Sequence, residues 1–215
     1  MSIQIKQVPS ESDEKAFSAK SEFLRKFFHL LPLLIPLFFA LGIPEFFIRA
    51  ILISLFMILT PVEFYRLKVP TTRLNRLLRA KEVDKLASYY MSCLIAAILA
   101  IFVVDFVILE ISLVASNLGD ASAALIGKTI GRHLLPLTKT KTIEGTIAGF
   151  FCAFASCFIF FLEKNIILIF IYGIVVGLTV VITDFIESPK IFYSDNLLNP
   201  LLSAIGLIFV TCSFL

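Results

Sequence analysis

Seven apolar segments separated by short polar stretches restrict this chain to a helical fold embedded in a membrane. The segments cover residues 27–42, 46–62, 86–104, 107–127, 143–162, 166–186 and 197–214. An α-helix needs about 20 mainly apolar residues to cross the hydrocarbon core of a bilayer. Since only 16% of the residues are charged, the polar stretches leave little material for a soluble domain. We therefore predict an all-α, polytopic membrane bundle of about seven transmembrane helices.

The first of these segments has the least certain boundaries. It is short, and it contains Pro32 and Pro36, which remove backbone donors and favour a kink. The domain organisation predicted from the whole pattern is a polar N-terminal tail over residues 1–20. A single transmembrane catalytic domain over residues 21–215 follows it.

The placement of lysine and arginine predicts the orientation of the bundle. If seven helices cross the membrane and the N-terminus is cytoplasmic, only Arg49 and Lys164 fall on the outer side. The positive-inside rule then supports a cytoplasmic N-terminus in a multi-pass integral membrane protein. Residues 66–85 hold seven of the cations, interspersed with leucines, which is typical of a helix lying on an anionic leaflet. We expect the bilayer, and no nucleic acid, to be the partner of this segment.

Just before this basic stretch, the second apolar segment ends in Glu63-Phe64-Tyr65-Arg66. Glu63 and Arg66 are three residues apart, which is the spacing of side chains that meet on one face of a helix. We predict an intrahelical ion pair at the membrane surface.

Two rows of residues run along the fourth apolar segment. Gly119, Ala123, Gly127 and Gly131 recur every four residues, so one helix face can approach another backbone or a ligand closely. The adjoining row begins with the carboxylate of Asp120 and ends with Lys128 and Arg132. An ionisable residue inside an apolar segment is costly, and for that reason it indicates a functional site.

The loop after this segment leads into the start of the next predicted helix. Beyond Pro136, Lys139 and Lys141 precede Thr142, a residue suited to cap a helix whose first turn contains Glu144 and Gly145. The free N–H groups of such a helix start favour an anion. Asp120, the small-residue face and this basic helix start together suit a nucleotide phosphate with its metal.

Further acidic residues fall on the same predicted side of the membrane. Asp184 and Glu187 are three apart at the end of the sixth segment, and Asp195 precedes the seventh, where it could also be a helix cap. Because Asp120, Glu187 and Asp195 would repel one another, we expect a metal or another cation between them.

Five motifs, in order, resemble the CTP-dependent lipid-alcohol kinases, a family that includes dolichol kinase, phytol kinase and the CTP-using diacylglycerol kinase. They are Glu22-x-x-Arg25-Lys26-x-x-His29, Gly119-Asp120-Ala121-x-Ala123, Gly127-x-x-x-Gly131-Arg132, Lys141-Thr142-x-Glu144-Gly145 and Asp195-Asn196-x-x-x-Pro200. The resemblance implies that CTP donates a phosphoryl group to the hydroxyl of a membrane lipid with the help of a divalent metal. One departure is Ser194, which stands where the family usually has an acidic residue.

These motifs give a hypothesis for the site. We expect Asp120 and Asp195 to hold Mg²⁺, or one of them to accept the proton of the lipid hydroxyl, with Glu187 as a third catalytic acid. Asn196 would orient a phosphate or a metal-bound water. The residues expected to bind CTP are Lys128, Arg132, His133, Lys139, Lys141, Thr142, Glu144 and Gly145. Those expected to bind or support the lipid substrate are Glu22, Arg25, Lys26 and His29.

Several alternatives stay open from the sequence. The acceptor is predicted to be an isoprenoid alcohol of the dolichol or polyprenol type, and diacylglycerol, phytol and geranylgeraniol are alternative acceptors. A phosphatidate cytidylyltransferase also uses CTP, but its late Asp-Arg-x-Asp signature is absent, since Asn196 follows Asp195 here. A small transporter could use Asp120 and Asp184 as ion-coupling groups. The active site is expected to face the cytoplasm, and a homo-oligomer is possible.

Overall fold

A computed structural model describes residues 31–69, 86–136, 138, 140–160, 165–186 and 195–214. Across these residues the chain forms a 3₁₀ turn at Leu31–Leu33 and seven α-helices, with no β-strand beyond one isolated bridge. The helices are α1 (Leu34–Ala40), α2 (Glu45–Lys68), α3 (Ser88–Phe102), α4 (Phe106–Thr129), α5 (Ile143–Phe160), α6 (Ile166–Phe185) and α7 (Asp195–Phe214). The predicted all-α fold is confirmed.

The lengths of the helices support a membrane protein. Four helices are long and apolar enough to cross a bilayer: α2, α4, α6 and the Asn196–Ser213 part of α7. Shorter apolar helices cover Tyr89–Phe102 and Ile143–Phe158. The helical membrane bundle is therefore confirmed, whereas the number of crossings and their orientation remain predictions.

The first apolar segment is described only from Leu31 onward. Its described part is a 3₁₀ turn followed by α1, which has seven residues, so whether the whole segment crosses the membrane stays a prediction. Gly42, at a φ of 80°, then turns the chain before α2. Left-handed backbone of this kind suits glycine, because a side chain would clash there.

Helix α4 lies at the centre of the bundle. Of the 18-residue apolar stretch in α4 that could cross a membrane, 72% is buried inside the protein, whereas only 6% of the corresponding stretch of α2 is buried. It packs against α5, α6 and α7, while α2 packs mainly against α3. Because α4 is enclosed by other helices, polar residues such as Glu110, Ser116 and Asn117 are buried inside the protein.

The predicted row of small residues on α4 explains how closely α5 approaches. A Cβ atom added at Gly145 would lie 2.6 Å from the carbonyl oxygen of Ala123 and 3.0 Å from the Cα of Gly127. One added at Gly149 would lie 3.0 Å from the carbonyl oxygen of Gly119. The row of small residues on α4 therefore allows close packing of the two helix backbones. The sequence alone left open whether this face approaches another backbone or a ligand.

This packing gives a first prediction. In Gly149→Ala the new methyl group would meet Ala123, Gly119 and Val180 at 2.9–3.0 Å, so α4, α5 and α6 would have to separate. Overpacking of this kind costs about 1–3 kcal/mol. We expect a lower midpoint of thermal unfolding in detergent. The matched control is Gly206→Ala on α7, where the added methyl meets only the tip of the Val175 side chain among the described residues. Equal midpoints for the two variants would contradict the close packing.

A buried ion pair joins α2 to α3. The Arg66 guanidinium donates to both carboxylate oxygens of Glu63, at 2.9 and 2.7 Å. Glu63 also accepts from the backbone N–H of Ala87 at 2.7 Å and from the Tyr89 hydroxyl at 2.7 Å. The predicted intrahelical pair is confirmed, and its position at the membrane surface stays a prediction. The exposed fractions of Glu63 and Arg66 are 1% and 0%, because the start of α3 covers them.

Candidate active site

A tight hairpin between α4 and α5 forms one wall of the candidate site. An isolated antiparallel bridge pairs Leu134 with Thr142. The backbone N–H of Leu135 donates to the carbonyl of Lys141, and that of Ile143 donates to the carbonyl of His133, each at 2.9 Å. The two arms of the hairpin are thereby fixed to one another, so the position of Lys141 is set relative to the start of α5.

Lys141 is the centre of a polar cluster at this end of the bundle. Its ammonium nitrogen Nζ lies 2.8 Å from Oδ1 of Asp184 and 3.8 Å from Oδ1 of Asp120. The second carboxylate oxygen of Asp184 accepts from the Thr146 hydroxyl at 2.7 Å. The cluster thus joins three helices, because Asp120 lies in the middle third of α4, Thr146 in the first turn of α5 and Asp184 in the last turn of α6.

The three side chains differ in how far they are enclosed. The exposed fraction of the Asp184 side chain is 3%, whereas those of Asp120 and Lys141 are 15% and 22%. Asp184, with a donor on each carboxylate oxygen, therefore orients Lys141 from within the protein. Asp120 and Lys141 are more exposed than Asp184, so a substrate can reach them from outside the protein.

Helix α7 comes close to this cluster through the residue next to Asp184. The Thr183 hydroxyl donates to Oδ1 of Asn199 at 2.8 Å, and both residues are buried. Asn196, one turn earlier on α7, is also buried. Asp195 is the first residue of α7, but its side chain lies outside the described part of the structure. The backbone of α7 thus starts beside the end of α6 that carries Asp184.

The start of α5 has the cap expected from the sequence. The Thr142 hydroxyl oxygen accepts from the backbone N–H of Gly145 at 3.2 Å, which confirms the predicted capping threonine. Thr142 also fills the space beside Gly127, in α4, and Gly131, just after it, since a Cβ added at these glycines would lie 2.8 or 2.5 Å from its hydroxyl oxygen. These glycines make room for the cap.

Glu144 contacts the hairpin. Its carboxylate accepts from the backbone N–H of His133 at 3.3 Å and lies 2.5 Å from Nδ1 of the same residue. Both residues were expected to bind CTP. In the structure they are paired with one another, which holds the hairpin against the first turn of α5. Glu144 also complements the helix dipole there.

The other predicted site residues divide into those near the cluster and those outside the description. Lys128, at the end of α4, and Arg132, in the hairpin, have exposed side chains on the same end of the bundle as Lys141. Gly145 is buried against α4. The following predicted residues lie outside the described residues: Glu22, Arg25, Lys26, His29, Lys139 and Glu187.

Asp184 was not among the residues selected for the catalytic site, although the structure places it closest to Lys141. The sequence did contain a signal for Asp184, because a carboxylate at the end of the most apolar helix is energetically costly unless it has a partner. The sequence suggested Asp184 only as an ion-coupling group or as a neighbour of Glu187. Its pairing with a lysine 43 positions away could not be deduced from helical spacing.

The donor set is compatible with a divalent cation. Carboxylate oxygens are the hard ligands that Mg²⁺ prefers, and Mg²⁺ is usually bound by one or two carboxylates together with waters and substrate phosphates. Asp120 and Asp184 both lie within 4 Å of one ammonium group, so this region already accommodates a positive charge. Among the described residues no group of three or more His, Cys, Asp or Glu side chains could hold a metal.

Comparison with known proteins identifies the class. The model of the cytidylyltransferase family matches residues 13–189, so the chain belongs to that family. This family includes CTP-dependent lipid kinases such as dolichol and diacylglycerol kinases, in agreement with the resemblance found in the sequence. Membership supports a membrane transferase that uses CTP and moves a phosphate or nucleotide group. No curated protein and no solved structure matches the chain.

Proposed function

We propose that this protein is a CTP-dependent kinase that phosphorylates the hydroxyl group of a membrane lipid alcohol. The observation that carries the proposal is the cluster of Lys141 with Asp184 and Asp120. The exposed cations Lys128 and Arg132 lie at the same end of the apolar bundle. Phosphoryl transfer needs positioning and neutralisation of charge more than an elaborate nucleophile. A lysine oriented by a buried carboxylate, next to a second and more accessible carboxylate, meets that need.

The roles of the residues follow from their surroundings. Lys141, oriented by Asp184, would bind the CTP phosphates, with Lys128, Arg132 and Lys139 adding positive charge around the opening. Asp120 and Asp195 are the carboxylates that would hold Mg²⁺ and accept the proton of the lipid hydroxyl, and Asn196 would orient a phosphate. Bound Mg²⁺ would supply further neutralisation of the phosphate charge.

The acceptor is proposed to be an isoprenoid alcohol of the dolichol or polyprenol type. Such a lipid places one hydroxyl at headgroup depth and an apolar chain in the bilayer, which matches a polar cluster at the end of apolar helices. In the proposed topology this end of the bundle faces the cytoplasm, where CTP is available.

A second candidate is a cytidylyltransferase, because the matched family takes its name from that reaction. The two reactions break different bonds of CTP. A kinase transfers the γ-phosphate to the lipid and releases CDP, whereas a cytidylyltransferase transfers the cytidylyl group and releases pyrophosphate.

Position-specific labelling of CTP tests the proposal. Purified protein in detergent or nanodiscs would be incubated with Mg²⁺, CTP labelled at either the α- or the γ-phosphate, and an acceptor that is either a lipid alcohol or phosphatidate, whose phosphate can accept a cytidylyl group. We expect γ-label, and no α-label, in the lipid, with CDP as the co-product. ATP in place of CTP is the nucleotide control. Lipid that carries α-label, or release of pyrophosphate, would contradict the kinase and support the cytidylyltransferase.

A further inference from the structure

A groove between α5 and α6 opens beside the Lys141 cluster. Its volume is about 250 Å³. Helix α5 contributes Ile147, Phe150 and Phe151 to its walls, and α6 contributes Val181 and Phe185. We infer that this groove binds the first part of the acceptor's hydrocarbon chain, next to its hydroxyl group, and that it admits one chain. The inference rests on the proposed function, since it takes the acceptor to be a lipid alcohol.

The groove adjoins the candidate site through one residue that belongs to both. Thr146 lines the groove, and its hydroxyl donates to the Asp184 carboxylate at 2.7 Å. The other oxygen of that carboxylate binds Lys141. A chain lying in the groove would therefore pass beside the residues proposed to handle the phosphate. This continuity distinguishes the groove from the many other apolar surfaces that merely face lipid.

The rest of the groove offers no polar partner. Apart from Thr146, its described lining residues are aliphatic or aromatic, and the Thr146 hydroxyl is already donated to Asp184. Phe151, Ile147 and Phe185 are 62%, 52% and 43% exposed, so the groove opens sideways towards the lipid that surrounds the bundle. An occupant must be apolar, and it can enter from the bilayer without crossing water.

The floor of the groove is fixed in place by a glycine. Phe150 lies directly over Gly177 of α6, where an added Cβ would come within 2.7 Å of the Phe150 ring. The same ring is stacked on Phe154, with centroids 6.3 Å apart and an interplanar angle of 8°. Phe150 consequently cannot sink further between the helices, and the groove keeps a defined depth.

The size of the groove sets the chain length that it can recognise. A cavity of about 150 Å³ lined by apolar side chains binds benzene, so a volume near 250 Å³ corresponds to roughly ten carbon atoms. That volume suits two isoprene units of a single chain.

Kinetics with acceptors of increasing length test the groove. Isopentenol, geraniol and geranylgeraniol would be compared in the wild-type protein and in Ile147→Trp, which fills the groove from α5. Because several methylene groups would lose their burial, we expect the KM for geraniol and geranylgeraniol to rise by about tenfold or more. The KM for isopentenol and for CTP should change little. The matched control is Ile205→Trp on α7, where the side chain is similarly exposed, at 56%, and should leave every KM unchanged.

Photo-crosslinking provides a readout that does not depend on turnover. A geranylgeraniol analogue with a diazirine near its second isoprene unit should label the peptides around Phe151 and Phe185 in the wild-type protein, and label them less in Ile147→Trp. Unlabelled geranylgeraniol should compete, whereas phosphatidylcholine should not. Equal competition by phosphatidylcholine would show a site for bulk bilayer lipid and would overturn the inference.

The two experiments separate this inference from the proposed function. If the wild-type protein phosphorylates lipid alcohols but Ile147→Trp affects all chain lengths equally or none, the groove is not the acceptor site and only this inference fails. If no lipid alcohol is phosphorylated, the proposed function fails. In that case specific crosslinking of the alcohol would still support the groove as its binding site, and absence of crosslinking would overturn that as well.

Discussion

Replacement of Asp120 by Asn should abolish transfer to lipid while the protein still folds. The Asp120 carboxylate lies 3.8 Å from the Lys141 ammonium and is 15% exposed, near the opening of the cluster. Asn keeps the size of the side chain but removes the negative charge proposed to hold a cation or accept a proton. We expect kcat to fall by about a thousandfold or more, which is the range for loss of a group that acts on the transferred phosphate. Initial rates with γ-labelled CTP and geranylgeraniol measure the effect.

The matched control is Asp105→Asn at the other end of the same helix. The Asp105 carboxylate caps α4 by accepting from the backbone N–H groups of Val107 and Ile108. Asn is an equally good cap, so activity and thermal midpoint should both be retained. Near-normal turnover in Asp120→Asn would contradict its assigned role. A loss of folded protein on size exclusion would instead assign Asp120 to structure.

Replacement of Glu63 by Gln should destabilise the protein strongly. Each carboxylate oxygen accepts two donors, from Arg66 and Ala87 on one side and from Arg66 and Tyr89 on the other. Gln leaves one acceptor and places an NH₂ group among donors, opposite a guanidinium with no exposed surface. Breaking a buried ion pair costs about 3–5 kcal/mol. We expect the midpoint of thermal unfolding in detergent to fall by on the order of 10 °C.

Two further variants control this measurement. Glu45→Gln removes an exposed carboxylate from the first turn of the same helix and should change the free energy of unfolding by less than about 0.5 kcal/mol. The double variant Glu63→Leu/Arg66→Met removes both charges and should recover part of the loss, because no single buried charge remains. A Glu63→Gln midpoint equal to that of Glu45→Gln would show that the buried pair contributes nothing to stability.

The helices could be predicted closely because the sequence alternates between long apolar runs and clear polar breaks. The start of α5 was predicted to the residue, since Thr142 is a capping residue followed by apolar positions. The first apolar segment is described only from Leu31 onward. Its two prolines indicated a kink, and the described part is a 3₁₀ turn followed by the seven-residue helix α1.

The site could be predicted only in part, because spacing along a helix shows which residues share a face and not what that face meets. Asp120 was identified because an ionisable side chain inside an apolar segment is energetically costly. Lys141 was identified because it comes just before the start of a helix, where an anion can bind. The contact between Lys141 and Asp184 depends on how α5 and α6 pack, which a single sequence does not show. The burial of Glu63 was missed for the same reason, since α3 covers it from outside its own helix.

The enclosure of α4 by its neighbours has a consequence for how the protein is made. Of the four helices long enough to cross a bilayer, α4 is the least apolar, and it carries Glu110, Asp120 and Lys128. A helix with such residues partitions poorly into lipid on its own as it leaves the translocon. We therefore expect the stable insertion of α4 to depend on its packing against α5, whose Gly145 and Gly149 lie against it. The two neighbouring segments would then enter the bilayer as a pair.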